Sequence, residues 1–151
     1  MKIVVDTREQ TPWAFPCDLA ESVRGTLTEG DYALEGDDGF AIERKSLSDF
    51  LGTISTGWER FKRELNRMDA KGFPTKVIIV EGDISSLFFG PNCEPPQHDH
   101  PHLTPQFVAK RIAQLTYDRR CSVLFACSAP IAAGLATQIF RRREKEINDD
   151  N

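Results

Sequence analysis

Short continuous apolar runs alternate along the chain with stretches whose apolar residues recur every three or four positions, the order expected of strands interleaved with helices. Ile3 to Val5 is such a run and stops at Asp6-Thr7-Arg8-Glu9, which predicts a buried strand with polar groups at its end. Val23 to Leu27 predicts a second strand. Tyr32 to Leu34 and Phe40 to Ile42 flank Glu35-Gly36-Asp37-Asp38-Gly39, whose glycines tolerate positive φ as a hairpin connection requires. Lys76 to Glu81 is β-branched and almost continuously apolar, which predicts a strand buried on both faces in the sheet centre, and Ser122 to Ala126 is the last strand.

Ser46 with Asp49 three residues later marks a helix start. That helix, Ser48 to Ser55, breaks near Gly57, and a second runs from Trp58 to about Lys71 with Trp58, Phe61, Leu65 and Met68 in one stripe toward the sheet. Thr104 before Pro105 opens a third, with Val108, Ile112 and Leu115 inward. Ser128 and Pro130 open the last, which runs to about Glu146. Thr11 to Cys17, with Trp13 and Phe15 between prolines, reads as a loop that tucks its aromatic groups against the core. The order implies an α/β fold with a central mixed sheet flanked by helices.

The hairpin carries the candidate chemistry. Successive side chains on a strand alternate faces, so Glu43 and Lys45 project together while Ile42 and Arg44 point the other way. A turn centred on Asp37 sets Asp31 across from Glu43, close enough for both carboxylates to hold one cation. Two hard oxygen donors with room for water suit Mg²⁺. Lys45 would then position water or stabilise developing negative charge. On spacing alone the competing reading, a solvent-facing hairpin with an ordinary Glu/Lys pair, stays open.

Gly30-Asp31, Glu43-Arg44-Lys45 and Asp49 together resemble the signature of the XPF-type structure-specific endonucleases, a branch of the PD-(D/E)xK nuclease superfamily. The opening Val5 to Gln10, VDTREQ, and the later KVIIVEG strand are similar to that family's too. The resemblance implies a restriction-endonuclease-like core and Mg²⁺-dependent hydrolysis of DNA, with Mn²⁺ able to substitute and a 5′-phosphate product. By residue it implies Asp31 and Glu43 as metal ligands with Asp6 as a further acid at the metal, Lys45 as the catalytic lysine, and Arg8, Arg44 and Asp49 as supporting residues. It places the helix from Trp58 beside the site, where Arg60 and Arg63 are either phosphate contacts or a solvated face. Repair or recombination of branched or flapped DNA is the implied setting. A noncatalytic DNA-binding or dimerisation partner of a nuclease is the rival, which the intact Asp31, Glu43 and Lys45 oppose.

Composition narrows the rest. A hydrophobic content of 40% in 151 residues fits one domain, 1–147, with 148–151 as a frayed tail. A net charge of −4 argues against a protein that coats nucleic acid, though an acidic metal centre contributes to it. No stretch approaches a membrane span, and Asp6 comes too early for a secretory signal, so the start is read as the first strand. Cys17, Cys93, Cys121 and Cys127 form no CxxC pair, and Cys121 and Cys127 at the ends of one strand lie about 20 Å apart, so a reducing, cytoplasmic setting is expected.

His98, His100 and His102 alternate through the proline-rich Gly90 to Pro105. They lack a fourth convincing zinc ligand, so a solvated loop is preferred to a zinc site, with a loop that borders the DNA path as the alternative. In the last helix Ile131, Leu135 and Ile139 form one apolar row and Ala132, Ala136 and Phe140 an adjoining one. A single sheet covers about one such stripe, so the width predicts either a homodimer face, with Phe140 in it, or a broad core contact. Arg141-Arg142-Arg143 reads as a solvated helix end.

Overall fold

The computed structural model describes residues 1–88 and 98–149. Among them, β1 (Lys2–Asp6), β2 (Glu21–Gly25), β3 (Tyr32–Leu34), β4 (Ile42–Ser46), β5 (Lys76–Glu81) and β6 (Cys121–Ala126) form one mixed sheet in the order β2-β1-β3-β4-β5-β6. Only β3 runs antiparallel to its neighbours, while β1 pairs parallel to β2 and β4 to β5 to β6. The helices α1 (Leu47–Ile54), α2 (Trp58–Ala70) and α3 (Pro105–Ala113) pack on one face, and α4 (Ala129–Asp149) packs on the other.

Alternation along the strands divides the side chains between these two cores. Ile78 and Val80 of β5 face α1 and α2, whereas Val77 and Ile79 face α4. Five of the six β5 residues are buried and β5 has strands on both sides, as its apolar run predicts. The second strand starts at Glu21 and ends at Gly25 rather than running from Val23 to Leu27. A Cβ at Gly25 would lie 2.7 Å from Val4, and the Leu27 N–H turns to the Asp6 carboxylate instead of to a strand partner.

The Asp49 N–H donates to Ser46 Oγ at 3.1 Å, which caps α1 as the sequence predicts. The α1–α2 junction needs Gly57, where a Cβ would meet the Gly52 carbonyl oxygen at 3.1 Å and Thr53 Cα at 3.2 Å. Trp58, Phe61, Leu65 and Met68 of α2 are buried together. Thr104 caps α3, and a π-helical turn, Gln114–Asp118, follows it with Leu115 buried.

On α4 the two apolar rows separate cleanly. Ala132, Ala136 and Phe140 are buried against the sheet, and Phe140 meets Phe40 edge-on at 6.0 Å. Phe140 is therefore a core residue and not part of a dimer face. Ile131 and Leu135 are the exposed row, at 51% and 37%. Arg143 is not solvated either, since its guanidinium bonds Asp37. The helix continues through Asp149, so residues 148 and 149 of the expected tail are helical, while 150–151 lie outside the described residues.

Cys17 and Cys127 are exposed and free, and Cys121 is buried with its thiol pushed up to about 12, chiefly by burial. Cys93 lies outside the described residues, as does the first part of the Gly90 to Pro105 loop. Among the described residues no helix is long and apolar enough to cross a membrane.

Candidate active site

The β3–β4 pair sets the geometry. Tyr32 pairs with Ile42, and one step further the Asp31 N–H donates to the Ile42 carbonyl at 2.9 Å. That register places Asp31 beside Glu43, as the turn-centred reading predicts. Gly30 makes the approach possible. It has φ +71°, and a Cβ there would lie 2.7 Å from Ala41 Cβ.

Asp31 is pushed up to about 7. Burial is the first cause and the negative charge of Glu43 the second, while the Arg44 N–H, donating to Oδ2 at 2.8 Å, opposes them. Lys45 Nζ is 2.8 Å from Glu43 Oε1 and lies over the Phe61 ring, 5.9 Å from its centroid. The α1/α2 face thus carries two mutually repelling carboxylates and a positioned amine. Two carboxylates of this kind are hard oxygen donors, the chemistry that suits a divalent cation whose other positions go to water and substrate. Among the described residues no cluster of three or more His, Cys, Asp or Glu is arranged to hold a metal.

Asp6 is wholly buried, and both its oxygens are engaged. Oδ1 accepts from the Arg8 N–H and from Arg8 Nε at 2.6 Å, and Oδ2 accepts from the Leu27 N–H at 2.7 Å. Burial raises its pKa, but these bonds outweigh that and hold it below the usual carboxylate value. Asp6 therefore ties together the two loops that border the site. Arg8 projects from this knot, mostly exposed, into the field of Asp31 and Glu43.

Arg44 lies on the other face. Its guanidinium bridges Glu9 Oε2 at 3.0 Å and Glu81 Oε1 at 2.7 Å, and it covers the Trp13 ring. Trp13 stacks on Tyr32 with centroids 4.3 Å apart and donates Nε1 to Glu81. The loop aromatics are thus core, as expected, and Arg44 acts through the Glu9–Thr11 segment that it pins. Glu9, Glu81 and Tyr32 were not singled out from sequence. The available signal was Glu81 at the carboxyl end of a parallel strand beside β4, where α/β sheets gather their functional groups.

Asp49 is exposed on the first turn of α1. Arg60, on α2, borders a cavity of about 670 Å³ that also includes Lys45, Asp49 and His100. Arg63 is exposed, has no hydrogen bond or ion pair among the described residues, and does not border that cavity.

The chain is thus an α/β domain with an acid–acid–lysine set on one sheet face. The ERCC4 domain model matches residues 5–139, and the chain belongs to that family. Among solved structures it is similar to XPF from Aeropyrum pernix, at 24% identity with a TM-score of 0.68 over 95% of this chain and 61% of that one. It is also similar to the same protein in complex with DNA, at 24% identity with a TM-score of 0.66 over 96% and 65%. Identity at that level speaks for the fold, and the chain spans less than two thirds of either neighbour. No curated protein matches it.

Proposed function

We propose that this domain is a metal-dependent endonuclease that hydrolyses DNA phosphodiesters. The observation that carries the reading is the convergence of Asp31, Glu43 and Lys45, with Asp31 held by the Arg44 N–H and Lys45 Nζ 2.8 Å from Glu43. Asp31 and Glu43 fit Mg²⁺, with Mn²⁺ as a substitute, and a bound ion would neutralise charge at the attacked phosphate and acidify water there. Lys45, oriented by Glu43, donates to a phosphate oxygen as negative charge builds on it. Asp6 and Arg44 position the bordering loops, and Arg8 faces the substrate. Water adds to phosphorus, the P–O3′ bond breaks, and the proton released passes to the leaving oxygen, giving a 5′-phosphate and a 3′-hydroxyl.

DNA as substrate rests on the family and on the DNA-bound neighbour, and Arg60 and Arg63 are the backbone contacts of this reading. Branched or flapped DNA, in an intracellular repair or recombination setting, is the substrate class we infer. The intact acid–acid–lysine set favours catalysis over a noncatalytic partner role. Assembly is proposed as a homodimer through the exposed Ile131 and Leu135, of which Leu135 borders a groove with Phe40, Leu124 and Ile139. The test is cleavage of labelled linear, nicked, flapped and forked DNAs with and without Mg²⁺. Mg²⁺-dependent cutting of at least one is expected, and an inert preparation with all of them refutes the reading.

A further inference from the structure

The cavity beside Lys45 is larger than one cation and one phosphate need. Lys45 and Arg60 border it against a single carboxylate, Asp49, while Arg44 borders it with its guanidinium held by Glu9 and Glu81 on the other sheet face; Ser48, Thr53 and Thr56 are also in its wall. Its lining includes no Phe, Tyr or Trp, so it suits the charged backbone of a strand better than a base.

His100 closes this cavity from a different part of the chain. The Ser48 hydroxyl donates to Asp99 Oδ2 at 2.7 Å and lies 3.4 Å from His100 Nε2, while the Leu103 N–H bonds the His100 carbonyl and Leu103 is buried in the α1/α2 core. These contacts fasten the His98–His102 segment onto α1. The imidazole then lies over Gly52, where an added Cβ would be 4.0 Å from His100 Cε1. Asp99 Oδ1 is 3.8 Å from His100 Nε2, but Asp99 itself does not border the cavity. Arg60 is 74% exposed, and its one ion pair among the described residues is a long one to Glu64, at 3.7 Å, so its charge remains open to a ligand.

We infer that this cavity is a second phosphate subsite, in which His100 and Arg60 hold the backbone phosphate next to the one that is cut. The inference rests on the nuclease reading for the position of the first phosphate, and it assigns the histidine segment to the substrate strand rather than to a metal. In this reading His100 and Arg60, both on the cavity wall, take that phosphate, while Lys45 stays with the reacting one. Asp49 borders both this cavity and the neighbouring cleft toward Arg8.

The experiment is a methylphosphonate scan. One phosphate at a time is neutralised in a labelled DNA that the parent protein binds, and affinity is measured by fluorescence anisotropy without Mg²⁺. The parent, His100→Ala and Arg60→Ala are compared, with thermal melting as the check that each variant is folded. The parent is expected to lose about tenfold in affinity at the position next to the cut, the usual size of a charge-assisted hydrogen bond. The two variants, already weaker on unmodified DNA, are expected to lose no more at that position. Equal losses in parent and variants at every position overturn the subsite. Parent cleavage of the unmodified DNA with Mg²⁺ is scored separately. Cleavage with additive losses sinks the subsite alone, whereas non-additive losses at one position without cleavage keep the His100 and Arg60 phosphate contact and sink the nuclease reading together with the contact's place next to a cut.

Discussion

Arg143 holds Asp37 at two points, Nε to Oδ2 at 2.8 Å and Nη2 to Oδ1 at 3.0 Å, across 106 residues of chain. The pair fastens the β3–β4 turn to α4, and so braces the hairpin that carries Asp31 and Glu43. Burial alone would raise the Asp37 pKa, but the bonds from Arg143 and from the Gly39 N–H hold it below 3.8. A depressed acid contributes stability above its unfolded pKa and loses it as pH falls through the folded one. Arg143→Met should therefore cost about 2 kcal/mol at pH 7 and progressively less below pH 3.8, in urea melts of parent and variant. A deficit that stays constant down to the acid transition would rule the pair out as its source.

Asp31→Asn should abolish Mg²⁺-dependent cleavage without harming the fold. The change keeps the shape that accepts the Arg44 N–H and removes one of two charges that repel each other. Without metal the variant should melt no lower than the parent. Added Mg²⁺ should raise the melting temperature of the parent and leave that of the variant nearly unmoved, because an ion stabilises only the state that binds it. An equal rise in both proteins would remove Asp31 from the cation site.

Lys45→Ala should lower kcat by about 10²-fold and leave DNA affinity nearly unchanged, since its amine stabilises charge that exists only in the transition state. The comparison is single-turnover cleavage against anisotropy titration. Weakened binding with unchanged turnover would make Lys45 a ground-state phosphate contact.

The site was legible where local periodicity decided it. Strand alternation alone placed Glu43 with Lys45 and turned Arg44 away, and the turn at Asp37 fixed the register that brings Asp31 alongside. What stayed hidden depended on partners far along the chain. Arg44 finds Glu9 and Glu81 at separations of 35 and 37 residues, through strand order that no local pattern encodes. Asp6 has the residue type and position of a metal ligand, and only the Leu27 loop and the Arg8 turn show its oxygens to be committed. The His100 contact with α1 is hidden for the same reason, since Ser48 lies 52 residues earlier. On α4 the spacing revealed two apolar rows but not which of them the sheet would cover.

That last question decides how assembly should be tested. Ala132 and Ala136 are small enough to let α4 lie close on the sheet, and Phe140 fills the space against Phe40, so their row is the core row. Ile131 and Leu135 are left to water beside an apolar groove of about 370 Å³ that includes Leu124 and Ile139. A symmetric pair that buries this row on itself is the simplest cover, because a two-fold interface uses one patch twice. Leu135→Glu should then convert a dimer into a folded monomer with little loss in melting temperature, since the position is already partly exposed. Phe140→Glu should instead unfold the domain, because it buries an unpaired carboxylate where an aromatic ring packs. Light scattering with thermal melting reads both outcomes, and a parent that is monomeric at micromolar concentration removes the dimer proposal.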